Sequence, residues 1–283
     1  MTVQEIARKI EQLKIQGATS VAIEAVKALK NLYEREKDEE ALEKAGERLK
    51  NTRPTEPALK NAVNYCIRTK KFDKILGHFK SSKKEIAETA QDLLKDGTTV
   101  YTHCHSSTVT EILKLADSKE KEIDVKNTET RPVFQGRTTA RELAELDMRV
   151  EHFVDSAARF ALKKSDVMLI GADAVTFDGH VYNKVGSELI ANVANDLEVP
   201  LYVCTDSLKL APETGKGLKV EIEERLPSEV WENAPEGVEV RNPAFEKVKP
   251  RFIEGIVTEL GILGAEKLSE RAVEEYPEIF SYN

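Results

Sequence analysis

The sequence predicts an α/β protein: a helical N-terminal domain over residues 1–96, then a doubly wound, mostly parallel Rossmann-like sheet domain over residues 97–283. Two observations predict it. Up to Gly97 the apolar residues recur at helical spacing, three or four apart. Beyond Gly97 short β-rich runs alternate with helical ones, and strands followed by helices imply a parallel sheet covered on both faces.

The elements follow in order. Ile6, Ile10 and Leu13 space a first helix; Val21, Ala25, Leu29 and Leu32 space a second, with Gly17 breaking the two. The charge run at residues 34–47 reads as a solvated helix face. The segment NTRPTEP (51–57) is a helix stop and restart, with Thr55 as N-cap for a helix over 58–67. Residues 82–95 form a long amphipathic helix leading into the turn Asp96-Gly97. The strands are expected in TTVYT, IDVKNTE, VEHFV, DVMLIGAD, PLYVCT and FIEGIVTELG. The helices are expected in VTEILKLA, TTARELAEL, SAARFAL, SELIANVAND and residues 265–276. The apolar run 253–263 is expected in the core, with an interface as its other use.

Composition narrows the class. With 40% hydrophobic and 33% charged residues, the 283-residue chain reads as a soluble globular protein able to bury a sizeable core. A net charge of −8, from 42 Lys+Arg against 50 Asp+Glu, argues against direct nucleic-acid binding, which needs a basic surface. The apolar runs are too short to span a membrane, and the N-terminus carries no signal-peptide h-region. Cys66, Cys104 and Cys204 are odd in number and scattered, which favours free thiols in a reducing cytoplasm. The Lys/Glu-rich composition leans toward a heat- or salt-adapted source.

In a parallel sheet, ligands bind beyond the carboxyl ends of the strands. Those ends bring to one rim Cys104 with Ser106, Ser107 and Thr108; Glu129-Thr130-Arg131-Pro132; Asp155-Ser156; Gly171-Ala172-Asp173; Asn183-Lys184; and Asp206 with Lys209. A hydroxyl-rich turn entering a helix offers an anion free amides and the positive end of a dipole. Cys104 lies in that turn, where a thiol pKa is expected to fall. Asp173 follows an apolar strand, where burial is expected to raise a carboxyl pKa. Lys184 and Lys209 are candidates for phosphate contact. His103-Cys104-His105 invites a metal, but neighbouring strand residues point to opposite faces and a second ligand cluster is missing, so no metal is expected and His103 is expected packed beneath the turn. Walker, G-x-S-x-G and dinucleotide G-x-G-x-x-G signatures do not occur.

The segments THCHSS (102–107), TETRPVFQGRTTARELAE (128–145), DSAA (155–158), GADAV (171–175) and NKVG (183–186), with the Lys209 region, together resemble one superfamily. It contains the alpha, beta and delta subunits of eukaryotic initiation factor 2B, methylthioribose-1-phosphate isomerase and archaeal ribose-1,5-bisphosphate isomerase. The likeness spans nearly the whole chain and is closest to the last branch. It implies an aldose–ketose isomerase of a 1-phosphorylated pentose, most directly ribose 1,5-bisphosphate to ribulose 1,5-bisphosphate in nucleotide (AMP) salvage. The resemblance further implies Cys104 and Asp173 as proton-moving groups and no cofactor. Gln16, Gly17, Ala18, Thr19, Arg53, Ser106, Ser107, Thr108, Asn183, Lys184 and Lys209 would bind substrate, in a homo-oligomer that is a dimer or a trimer of dimers.

Two departures stand out. The isomerases' R-G-A-G turn is here Gln16-Gly17-Ala18-Thr19, and their H-C-N-S-K segment is His103-Cys104-His105-Ser106-Ser107. Two cationic phosphate contacts are thus missing, each charged hydrogen bond being worth ~1.5–3 kcal/mol. The Ser-Ser-Thr turn also resembles the initiation-factor-like branch, whose members would bind a nucleotide or sugar phosphate and a translation initiation factor.

Overall fold

A computed structural model describes residues 1–280 apart from positions 16, 54, 55, 147 and 221. Before the first strand come helices α1 (Val3–Glu11), α2 (Ala18–Glu36), α3 (Glu39–Lys50), α4 (Pro57–Thr69) and α5 (Phe72–Thr89). Local chemistry sets their ends. Thr2 and Glu5 close a capping box on α1, Asp38 caps α3 through the amides of Glu40 and Ala41, and Pro57 opens α4, where a missing N–H costs nothing. The expected N-cap Thr55 lies outside the described residues. Two expectations need correcting. The helix placed at 82–95 starts ten residues earlier at Phe72, because Phe72, Ile75 and Phe79 are buried and extend its apolar stripe. The charge run at 34–47 is two helices, broken where Lys37 turns left-handed (φ 52°) and Asp38 restarts the chain. Leu13 falls just past α1, itself at φ 56°.

From Thr99 strands and helices alternate: β1 (Thr99–Thr102), α6 (Ser107–Ser118), β2 (Asp124–Thr128), α7 (Gln135–Ala144), β3 (Val150–Phe153), α8 (Ala158–Leu162) and β4 (Val167–Ile170). A hairpin follows, β5 (Ala174–Thr176) and β6 (Val181–Lys184), then α9 (Ser187–Asp196), β7 (Leu201–Cys204), β8 (Leu210–Ala211), β9 (Phe245–Val248), β10 (Gly255–Thr258), β11 (Gly261–Leu263), α10 (Leu268–Glu275) and α11 (Pro277–Phe280).

The main sheet runs β11-β10-β7-β4-β1-β2-β3 and is parallel except for the β10–β11 edge pair. Alternate strand residues serve opposite faces. Tyr101, Met168, Ile170, Val203 and Ile256 pack on the side of α8 and α9, while Val100, Leu169, Cys204 and Val257 pack with Ile86 of α5 and Ile112 of α6. The sheet is therefore doubly wound, and the run 253–263 supplies core through Ile256 and Val257.

Strand order reverses between β1 and β4, the switch point at which such sheets leave a crevice. Cys104 follows β1 and Asp173 follows β4, so both flank that crevice. A second sheet, β8-β5-β6-β9, grows from the exit of β4 and closes one side of it. The sequence reading did not foresee this sheet, whose strands have two to four residues. The core of the N-terminal helices is continuous with Leu208, Leu210, Ala272, Ile279 and Phe280 of the later chain.

Candidate active site

The strained residue of the site is Cys104, a non-glycine at φ 69°. Its backbone is pinned on both sides. The amide donates to Thr130 Oγ1 at 3.0 Å and the carbonyl accepts from Thr139 Oγ1 at 3.0 Å. Thr130 is itself left-handed, and its amide and that of Arg131 donate to the Asp155 carboxylate at 2.8 and 2.7 Å. His103 is buried beneath the turn, bonded to Thr128 Oγ1 and to the Val185 carbonyl. Thus Thr128, Thr130 and Asp155, expected at the ligand rim, instead hold the Cys104 turn from behind, while Glu129 pairs with Arg137 and the Arg131 guanidinium donates to the Val230 carbonyl.

Gly17, Ala18, Thr19, Arg53, Cys104, Ser106, Ser107, Thr108, Asp173, Asn183, Lys184 and Lys209 all line one cavity. Gln16 lies outside the described residues. Glu56, Gln135, Arg225 and Phe245 line it too and were missed, although Gln135 lies within a segment singled out from the sequence and Glu56 is three positions from Arg53. Arg225 and Phe245 carried no local signal, since only the long chain path after β8 returns them to the site.

Two helix starts meet there. Ser106 caps α6, and α2 begins at Gly17 (φ 84°) without a side-chain cap. Neither first turn carries an acidic residue, so the amides of α2, and those of α6 other than Val109, which donates to Ser106 Oγ, are free of carboxylate competition for an anion. Arg53 is nearly buried; its Nη2 lies 2.8 Å from Glu56 and 3.3 Å from Glu223, while Nε has no hydrogen-bond partner among the described residues. A buried guanidinium nitrogen left unpaired is a donor waiting for a ligand oxygen. Lys209 Nζ donates to the Ala172 carbonyl at 2.7 Å, and Lys184 lies over the Phe245 ring at 5.0 Å. Asn183 donates to Ser187 Oγ at 2.9 Å.

The acid–base character of the two central groups differs from expectation in one case. Burial raises the Asp173 carboxyl pKa, moderated by Lys209, Lys184 and Arg53. Cys104 was expected to be acidified by the helix start; burial instead pushes its thiol up to about 12, against a smaller opposing pull from Lys184. The reason is geometric. The thiol is enclosed, near Gln135 Oε1 at 3.5 Å, and α6 begins three residues later, so its dipole does not offset desolvation. Glu56 is also raised by burial, to about 7. Asp206, expected at the rim, is turned away toward His78 at 3.0 Å.

Fold and cavity together define a doubly wound α/β protein with an anion-receptive crevice at its switch point. The chain belongs to the Initiation factor 2 subunit family, whose pattern matches residues 14–265. It is 36% identical over 285 residues to the ribose 1,5-bisphosphate isomerase of Archaeoglobus fulgidus, covering 93% of this chain and 90% of that protein. To the protein of the same name from Methanocaldococcus jannaschii it is 34% identical over 280 residues, covering 92% and 91%. The crystal structure of a Pyrococcus horikoshii translation initiation factor eIF-2B superposes with a TM-score of 0.83 at 29% identity, covering 93% of this chain and 96% of that one. Among the described residues, no helix is long and apolar enough to cross a membrane.

Proposed function

We propose that the protein isomerises ribose 1,5-bisphosphate to ribulose 1,5-bisphosphate, with Asp173 moving the protons and Cys104 lining the cavity beside it. The observation that carries this reading is a half-buried carboxyl and a buried thiol lining the same cavity as two helix starts without acidic residues in their first turns. Two anionic ends and an oxidisable centre between them match that arrangement. The curated isomerases at 34–36% identity support the same reaction class.

The chemistry follows from the groups present. O1 of the sugar is phosphorylated, so the ring must open before C1 can be reduced. The C1–O4 bond breaks, its electron pair goes to O4, and Asp173 supplies the proton that completes the hydroxyl. Burial raises its pKa, which makes the carboxyl a better proton carrier than an exposed aspartate. The hydrogen on C2 then fills the electron-poor C1, either as a hydride or as a proton carried by Cys104 through an enol. The C2 hydroxyl returns a proton to Asp173 and becomes the ketone, so substrate and product are isomers and no co-reactant is consumed. The resting Cys104 thiol is neutral, which favours the direct shift. Arg53 Nε and the amides of α2 and α6 hold the phosphates in place of the missing lysine side chain at Ser107.

Incubating the purified protein with this sugar and following the ketone by NMR tests the assignment. Turnover is expected, with a loss of ~100-fold or more in Asp173→Asn, the usual weight of a positioned acid. Absence of turnover in the wild type would overturn it. The second reading is an initiation-factor-like subunit that binds a nucleotide or sugar phosphate and contacts a translation initiation factor. It is favoured by Ser107 at the lysine position and by the fold likeness to the Pyrococcus horikoshii factor. Co-purification with initiation factor 2 and no sugar turnover would select it. We further propose a cytoplasmic homo-oligomer, a dimer or a trimer of dimers, supported by free thiols at Cys66, Cys104 and Cys204 and by the exposed Val154, Phe160 and Leu189. A mass of at least twice 31.7 kDa by light scattering is expected.

A further inference from the structure

Lys209 enters the cavity from the three-residue turn Ser207–Lys209, and several elements grip that turn from behind. Asp206 caps it, accepting from the Leu208 amide at 2.8 Å. The same carboxylate accepts from Ser82 Oγ at 2.6 Å and from His78 Nε2 at 3.0 and 3.1 Å, both on α5. Glu259, between β10 and β11, accepts from the Ser207 amide and hydroxyl. From α4, Asn61 Nδ2 donates to the carbonyls of Leu208 and Leu210 at 2.7 and 2.8 Å, the two residues that bracket Lys209. His78, Asp206 and Glu259 come within 4.8 Å of one another where these bonds converge on the turn. The outcome is a lysine whose backbone is held on both sides and whose ammonium donates to the carbonyl of Ala172, the residue before Asp173.

We propose that Asn61 and His78, neither of which lines the cavity, are positioning residues that hold the Lys209 ammonium beside the Asp173 carboxyl. The inference rests on the reading of Asp173 and Lys209 as groups of the isomerase site. Coulomb energy varies inversely with distance, and inside a protein it is weakly screened, so a turn released by either helix changes what Asp173 experiences. Asp173 faces the cations Lys209, Lys184 and Arg53, and also Glu223, Glu56 and Cys104, whose ionisation opposes its own. His78 faces Asp206, Glu259, Glu85 and the edge of the Tyr276 ring. Losing the nearby cation therefore moves Asp173 ionisation to higher pH, whichever way the carboxyl serves the reaction.

The test is a carboxyl carbon-13 NMR titration of Asp173, assigned with Asp173→Asn and run beside turnover. Lys209→Gln should move the midpoint up by about one unit or more, the usual weight of a close opposite charge. Asn61→Leu and His78→Leu should move it the same way, and neither should add to the shift in a Lys209→Gln background. His78→Gln, which keeps a donor toward Asp206, should restore most of it. A thermal midpoint lowered by Asn61→Leu and His78→Leu with the Asp173 titration unmoved would overturn the inference, because a merely structural bond does exactly that. If His78→Leu yields no folded protein, Ser82→Ala removes a single bond to Asp206 and carries the same comparison with a smaller shift. A Lys209→Gln protein unchanged in both readouts would instead count against the proposed site.

Discussion

Cys104 shows how strongly burial governs the chemistry of a single residue. A thiol in a turn before a helix is ordinarily a candidate thiolate, yet here enclosure pushes it up to about 12, and the same holds for Cys66 and Cys204. Thiolate, not thiol, reacts with alkylating reagents, so at neutral pH each should be modified roughly a thousandfold more slowly than an ordinary cysteine. Mass spectrometry after iodoacetamide treatment of the native protein checks this; fast labelling of Cys104 would show an open, polar turn instead. The neutral thiol has a kinetic consequence as well. In deuterated water the hydrogen of C2 should be retained at C1 of the ketone, and full exchange with solvent would identify the thiolate route. Asp173 was legible from the apolar strand before it. The state of Cys104 was not, because its enclosure is made by Gln135 and Thr130, more than twenty residues away in the chain.

At the scale of elements, two turns depend on having no side chain. A Cβ on Gly136, at the start of α7, would overlap the Thr128 carbonyl oxygen, and backbone cannot yield there. Gly136→Ala should cost several kcal/mol and lower the thermal midpoint sharply, as overpacking against backbone does (about 1–3 kcal/mol or more). A Cβ on Gly171 would sit 2.6 Å from Ser106 Oγ and 2.8 Å from Ser106 Cβ, so rotating the hydroxyl does not clear it and the Ser106 turn must shift. Gly171→Ala should therefore displace the start of α6, lowering the thermal midpoint and raising KM for the sugar phosphate. The α5–Ser207 network also sets a pH dependence. His78 is raised from 6.5 to about 9, burial opposing and the Asp206 carboxylate outweighing it. Its stabilisation is complete below pH 6.5 and is lost as pH rises through about 9, on the order of 3 kcal/mol. Glu259 and Glu56, raised by burial from 4.5 to about 7, lose their contribution earlier, as pH rises through about 7. Asp206, depressed, acts oppositely and only at acid pH. The thermal midpoint should be highest near pH 4–5 and fall toward pH 9.5, and His78→Gln should flatten the last part of that fall. The long, periodic helices and the parallel strands were legible because each carries its own hydrophobic repeat. The small sheet was not, since its strands are too short for a period and β8 and β9 join the β5–β6 hairpin from positions distant in sequence.

At the scale of the whole molecule, the change in texture at Gly97 was plain in the sequence, whereas the dependence of one side on the other was hidden. Arg53, Glu56 and the start of α2 line the cavity from the helical side, and Asn61 and His78 hold Lys209 from it. The core crosses the same boundary: Leu208, Leu210, Ala272, Ile279 and Phe280 are buried in the cluster built by α1 to α5. Stripping a buried apolar side chain of its cover costs ~1.5–3 kcal/mol. Five such residues lose on the order of 10 kcal/mol, which matches the entire stability of an ordinary domain. A chain beginning at residue 97 should therefore fail to form a cooperative fold even though it contains every strand of the main sheet. Near-ultraviolet circular dichroism and a thermal scan measure this. A sharp transition with native aromatic signals in the truncated chain would show that the sheet supports itself, and the helices would then matter for the site alone.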